Sequence, residues 1–429
     1  MKSLLKYLHN QSEKRCERRV AEALIIEDLW RLAQRRVPPI VWEYFRGGAD
    51  YETTLRANVR AFQEMFVNPN GAVKSDQLDM RTMVAGHQVA VPWYISPVGS
   101  LRMLWPMAEA IAARVAGEFG TVMAQATVTN TKMEEVRAAS KGQCWYQLYL
   151  CGGRETALRA IARAKAAGFS ALILTIDTAV AGNRVNHARM KPTSVIGKFK
   201  GLKWEERGKL LLAKAKVAPE MLPHIPWLLT HWFDGGVQPF VNIVDEKGVP
   251  MPYMGIDAQL AASAVTWDDI DWIRKAWGDG LLIIKGVHNA GDVMRAANCG
   301  VHAVIWSNHG GREQDRALPT LYMLKYEMPK VRHLKLHHMV DGGIRNGTDI
   351  LIALSYGVDA VGLGRVIAAG IGAGGYSGLT RAFEILKDQF ARAMQLVGVK
   401  SIAEIRERGD DIRRDYRMGG DGHLPEFVF

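Results

Sequence analysis

The sequence predicts an α/β protein: a closed (β/α)8 TIM barrel with an N-terminal helical extension and a long insertion after the fourth strand. Eight short, continuous apolar runs lie between residues 93 and 363, with glycine-terminated helical patterns between them, as parallel strands covered by helices require. None carries an edge-strand signal, so closure suits them better than an open sheet. The end of every run is polar, and in a barrel those ends converge on the face that carries chemistry.

The elements follow in order. Residues 1–36 read as basic and helical, with Leu24, Ile25, Leu29 and Leu32 as an apolar stripe that Val37-Pro38-Pro39 stops. An aromatic helix over 40–45 ends at Gly47-Gly48. Residues 1–91 are therefore expected to form a helical segment packed on the barrel. Strands are expected at 93–97, 121–125, 145–149, 171–176, 281–284, 303–307, 338–340 and 360–363, within a barrel spanning 92–406. The insertion occupies about 188–265, and 407–429 is a tail with no assignable role.

Composition bounds the function. With 429 residues, 48% hydrophobic and 23% charged, the chain can bury a large core. Cys16, Cys144, Cys151 and Cys299 show neither a CxxC pair nor a disulfide spacing, which suits buried thiols in a reducing compartment. The apolar run at Leu4-Leu5 stops too early for an export signal, and no run reaches the ~20 residues of a membrane span. The expected location is cytoplasmic, either free or peripheral on the inner face of the cytoplasmic membrane. A net charge of +11 favours anionic partners, but no nucleic-acid motif accompanies it, so anionic small molecules or lipid remain.

The polar run ends carry the candidate chemistry. Ser307-Asn308-His309-Gly310-Gly311-Arg312 combines an imidazole that titrates near neutrality with a guanidinium able to grip a carboxylate bidentately. Gly99, Gln125, Gln147, Tyr149, Thr175, Asp177, Lys285, Asp341 and Gly364 stand at the other ends. The glycine-rich turns at 341–348 and 362–365, with Arg345 and Arg365, have the chemistry of a phosphate site after strands seven and eight. Gly370-Ile371-Gly372-Ala373-Gly374-Gly375 matches a dinucleotide fingerprint but lacks the following βαβ unit and acidic residue. His288, His302, His333, His337 and His338 lack a metal-ligand pattern, so no metal is expected.

Together the hexapeptide, Lys285-Gly286-Val287, Gln147-Leu148-Tyr149, Thr175-Ile176-Asp177-Thr178, Asp341-Gly342-Gly343-Ile344-Arg345 and Gly364-Arg365 resemble the FMN-dependent α-hydroxy-acid dehydrogenase/oxidase family from about residue 25 to 406. The resemblance implies FMN at the barrel mouth and oxidation of an L-2-hydroxy acid to the 2-oxo acid, with flavin N5 accepting electrons. It implies that His309 is the base and Asp177 the carboxylate behind it, that Arg312 and Arg184 clamp the substrate carboxylate, and that Tyr44 and Tyr149 hydrogen-bond the substrate. It places Lys285 beside the flavin N1/C2 carbonyl, Gln147, Thr175 and Ser307 on the isoalloxazine, and Arg345 and Arg365 on the phosphate. Pro97, Val98, Gly99, Asp341, Gly343 and Gly364 are expected to complete the cofactor site, in a homotetramer.

Several positions depart from the family pattern. Gln125-Ala126-Thr127 stand where a hydroxyl residue is usual after the second strand, so one flavin contact is replaced or lost. Trp105 stands where relatives often carry His, Val128 where oxidases carry an aromatic, Glu313 where Gln is commoner, and Val185-Asn186-His187 replace an acidic pattern. These changes bear on the substrate, which is either a standard 2-hydroxy acid or a bulky, amine or peptide-derived compound. Gly99, where oxidases tend to carry Ala, favours a dehydrogenase that passes electrons to a quinone or another acceptor rather than to oxygen. Within the insertion, the basic stretch 191–216 and the aromatic stretch 225–233 suit a membrane surface, an active-site lid or a contact between copies; residues 191–240 are the candidate membrane contact.

Overall fold

The computed structural model describes residues 2–74, 77–190, 221–252, 259 and 264–415. The apolar runs form eight parallel strands: β1 (Trp93–Ile95), β2 (Met123–Gln125), β3 (Cys144–Leu148), β4 (Ala171–Thr175), β5 (Leu281–Val287), β6 (Ala303–Trp306), β7 (His337–Asp341) and β8 (Ala360–Leu363). They pair in chain order, and β8 closes on β1. A helix follows each strand outside the barrel: α1 (Ala108–Glu118), α2 (Met133–Ala139), α3 (Gly153–Ala166), α4 (Asp269–Trp277, after the insertion), α5 (Ala290–Asn298), α6 (Thr320–Tyr326), α7 (Gly347–Ser355) and α8 (Arg365–Leu396).

Strand alternation sets both the core and the site. Trp145, Ile173, Ile283, Ile305 and Met339 point inward into one buried cluster, which the turn of the Thr82–Val84 and His87–Val89 hairpin closes from below through Val84, Ala85 and Val89. Because side chains repeat with period two, the next inward layer is Gln147, Thr175, Lys285, Ser307 and Asp341. The apolar pattern that fills the barrel therefore delivers five polar groups to its upper mouth.

Strand β5 runs three residues beyond the expected end. Pairing with β6 shifts register between Lys285 and Val287, a bulge at Gly286, whose φ of 97° suits glycine. A Cβ there would stand 2.6 Å from the Asp177 Cβ, so the bulge glycine leaves the room that Asp177 occupies.

The stretch read as one helical pattern up to residue 36 is two helices, Lys2–Ala21 and Ile26–Arg36. The Asp28 carboxylate accepts from the backbone N–H of Leu24 and Ile25, which starts the second helix afresh and leaves both of those side chains exposed. Ile26, Leu29, Trp30 and Ala33 form its buried face. The glycine run at 370–375 lies inside α8, where it serves close packing: a Cβ at Gly372 would meet the Ala33 Cβ at 2.8 Å, and one at Gly375 would meet the Trp105 indole at 2.6 Å. All four cysteines are free; Cys144 and Cys151 are buried, whereas Cys16 and Cys299 are only half-buried, because they sit on the outer layer of helices.

In the insertion, the helix Ile225–Phe233 is followed by a hairpin, Phe240–Val244 with Pro250–Met251. Phe240 and Ile243 pack on Val128 and Cys151 near the ends of β2 and β3. The basic stretch 191–216 falls outside the described residues, as does the tail from 416. Residues 413–415 pair antiparallel with 65–67.

His338, buried on β7, accepts a hydrogen bond from the Trp306 indole at Nδ1, 3.2 Å away, and burial pushes its pKa down to about 4. The folded chain thus holds it neutral while the unfolded chain protonates near 6.5, so stability is lost as pH falls from about 6.5 to 4, by about 3 kcal/mol. Denaturant unfolding across this window should be shallower by that amount in His338→Gln, and an unchanged slope would refute the assignment.

Candidate active site

A cavity opens at the mouth of the barrel. It is lined by Tyr44, Pro97, Val98, Gly99, Gln147, Tyr149, Thr175, Arg184, Lys285, His309, Arg312, Asp341, Gly343, Arg345, Gly364 and Arg365, all expected in the site. The two remaining expected residues stand behind this wall, Asp177 beside His309 and Ser307 beside Lys285.

At the centre, His309 Nδ1 donates to Asp177 Oδ1 over 3.0 Å, which leaves Nε2 facing the Tyr149 hydroxyl at 3.4 Å. Burial pushes the Asp177 carboxyl up, but the charges of His309 and Lys285 outweigh it and hold the group below the ordinary range. His309 sits in the left-handed region at φ 57°, a conformation that favours Gly, Asn and Asp, so its aim is maintained against backbone preference by the contacts around it. One of those contacts runs from its own N–H to Ser307 Oγ, 3.1 Å away. Burial and the nearby Asp177 and Glu313 carboxylates raise the Tyr149 phenol well above its usual pKa, so it stays a hydrogen-bond donor.

Lys285 is almost fully buried and therefore needs a partner. Its Nζ donates to Ser307 Oγ at 2.8 Å and lies 3.4 Å from Asp341, which accepts from Ser307 at 2.6 Å and from Ser96 at 3.3 Å. Gln147 donates to Thr175 at 2.9 Å, and its carbonyl accepts from the Thr127 N–H at 3.2 Å. After β2 it is Ala126 that lines the cavity, while the Thr127 hydroxyl turns away and donates to the backbone carbonyl of Gln147.

At one end, Arg345 keeps Nε and one terminal nitrogen buried without a partner among the described residues, and burial lowers its pKa to about 10, still cationic at neutrality. Beside it, Gly342 and Gly343 have positive φ, and a Cβ on Gly343 would come within 2.3 Å of the Asn58 carbonyl. Helix α8 starts at Arg365, so its free N–H groups join the set. Orphaned guanidinium nitrogens, a side-chain-free turn and a helix start fit the phosphate of FMN. Arg365 itself donates to the carbonyls of Gly310, Gly47 and Arg46, which ties the β6 loop to the N-terminal segment.

At the other end, Arg312 donates to the carbonyls of Tyr44 and Gly47 at 2.6 and 3.0 Å and lies over the Tyr44 ring. Burial and the neighbouring Arg184 lower its pKa to about 10. Arg184 is held by Glu313 at 2.9 Å. Ser96, Thr127 and the Glu313 contact were not anticipated from sequence. Each links positions far apart in the chain, and no local spacing announces such links.

A sequence profile for FMN-dependent dehydrogenases matches residues 33–410. The chain is 31% identical to an L-lactate dehydrogenase of Chromohalobacter salexigens over 88% of this chain and 93% of that protein. It is 28% identical to a peroxisomal (S)-2-hydroxyacid oxidase of Arabidopsis thaliana, over 91% and 95% of the two chains. Among solved structures, the monotopic membrane protein (S)-mandelate dehydrogenase superposes with a TM-score of 0.80 at 27% identity, covering 92% of this chain and all of that one.

Proposed function

The chain belongs to the FMN-dependent dehydrogenase family and is an oxidoreductase of the 2-hydroxy-acid dehydrogenase/oxidase type, and we propose that it oxidises an L-2-hydroxy acid to the 2-oxo acid with His309 as base. The observation that carries this reading is a single cavity holding His309 backed by Asp177, Lys285 backed by Asp341, and the two arginines 312 and 184, with Arg345 at its far end keeping two guanidinium nitrogens buried without a partner among the described residues.

FMN, when bound, supplies a two-electron acceptor. Arg345, the Gly342-Gly343 turn and the start of α8 would hold its phosphate, and Gln147, Thr175 and Lys285 its ring. Lys285 would offset the negative charge that reduction places on that ring. Arg312 and Arg184 orient the substrate carboxylate, and Tyr44 and Tyr149 hydrogen-bond it. His309 accepts a proton at Nε2, from the hydroxyl if the α-hydrogen leaves as hydride or from the α-carbon if it leaves as a proton. Asp177 stabilises the resulting imidazolium in both routes. Gly99, at a position where oxidases of the family tend to carry Ala, supports a dehydrogenase that passes electrons to a quinone or similar acceptor. The test is a panel of 2-hydroxy acids with an artificial dye as acceptor: at least one should yield its 2-oxo acid, and no product from any would sink the reading.

The same proposal includes a peripheral membrane contact. No described helix is long and apolar enough to cross a membrane. In the helix Ile225–Phe233, Trp227 and His231 turn inward onto the carbonyls of Met103 and Arg102, while Ile225, Leu228, Trp232 and Phe233 are exposed. An outward apolar stripe on a basic chain suits insertion among anionic lipids. Trp232→Glu should weaken sedimentation with phosphatidylglycerol vesicles by roughly tenfold or more, since an exposed Trp contributes on the order of 2 kcal/mol on burial. Unchanged sedimentation with a smaller oligomer would instead make the stripe a contact between copies.

A further inference from the structure

The two arginines at the substrate end do not offer equal charge. Arg184 NH2 donates to Glu313 Oε1 at 2.9 Å, and Glu313 Oε2 accepts from the Gly182 N–H at 2.6 Å. The pair is enclosed, with side chains 19% and 8% exposed. It is also built into the backbone. A Cβ on Gly182 would fall 2.1 Å from the Arg312 carbonyl oxygen and 2.7 Å from the Glu313 Cα, so only glycine lets the loop carrying Arg184 lie this close to the loop carrying Glu313. Meanwhile Arg184 Nε is buried without a partner among the described residues, and the residue lines the cavity.

We propose that Glu313 is a specificity-determining residue that cancels one guanidinium charge of the carboxylate clamp, so that the site accepts 2-hydroxy monocarboxylates and discriminates against dicarboxylates. The inference rests on the functional reading above. Arg312 and Arg184 against Glu313 leave one net positive charge, which a single substrate carboxylate neutralises. Lys285 is already balanced by Asp341, and Asp177 behind His309 adds negative charge. At this end of the cavity, away from Arg345 and Arg365, a second carboxylate would therefore meet no uncompensated cation among the described residues, in surroundings where burial strengthens the repulsion. Arg184 keeps its Nε for orienting the one carboxylate that binds.

The experiment titrates oxidised, FMN-loaded enzyme with oxalate and with pyruvate, reading the perturbation of the flavin's visible spectrum without turnover. Glu313→Gln retains an acceptor for the Gly182 N–H but removes the charge. It should tighten oxalate relative to pyruvate by at least about tenfold, the scale of one unit charge at close range in a partly screened site. Glu313→Asp, which keeps the charge, should retain the wild-type ratio. An unchanged ratio in Glu313→Gln, or equal loosening of both ligands in both variants, would overturn the proposal. If the ratio moves as expected while no 2-hydroxy acid is oxidised, the charge assignment stands and the proposed reaction falls.

Discussion

His309→Asn should lower the rate of 2-hydroxy-acid oxidation by roughly 10³-fold, within the range of about 10² to 10⁴ expected for losing a positioned general base. Asn is the informative replacement because it tolerates the left-handed backbone at φ 57° that most side chains resist, so the loop is expected to keep its course. An amide cannot take up a proton near neutrality, yet it preserves polarity beside Asp177 and Tyr149. Oxalate binding in the same variant should change by less than about threefold, because the carboxylate clamp does not include His309. A variant with near wild-type turnover would remove His309 from the chemistry.

Lys285→Met should cost both stability and rate, and the two losses can be separated. Removing the ammonium leaves the Asp341 carboxylate buried with Ser307 and Ser96 as its hydrogen-bond partners among the described residues, and breaking a buried pair on one side costs about 3 to 5 kcal/mol. The double variant Lys285→Met with Asp341→Asn removes the orphaned charge and should recover most of the unfolding free energy. It should not recover the rate, which needs a cation beside the reduced ring. Recovery of both by the double variant would reduce Lys285 to a structural partner of Asp341.

The sequence made the barrel legible because strands buried on both faces read as uninterrupted apolar runs. Its upper layer was legible as well, because Gln147, Thr175, Lys285, Ser307 and Asp341 each stand within or just past the polar end of such a run. What escaped has a common physical origin. The break between Ala21 and Ile26 depends on one Asp28 cap inside an otherwise helical pattern. The extension of β5 depends on a bulge at Gly286 whose purpose, room for Asp177, involves a residue from another strand. Likewise Glu313 was visible as a departure but not as the partner of Arg184, since the two meet only when the loops after β4 and β6 come together. Arg365 lines the cavity as expected, but its bonds to Gly310, Gly47 and Arg46 are a tie to the N-terminal segment that no local motif encodes.

The central claim is that this cavity couples a bound flavin to a 2-hydroxy acid through His309. Anaerobic mixing of the FMN-loaded enzyme with the best acid from the panel tests it most directly, with flavin absorbance followed in the wild type and in His309→Asn. Rapid bleaching in the wild type, slowed by roughly 10³-fold in the variant, is the predicted result. No bleaching in the wild type, or equal bleaching in both, would contradict it.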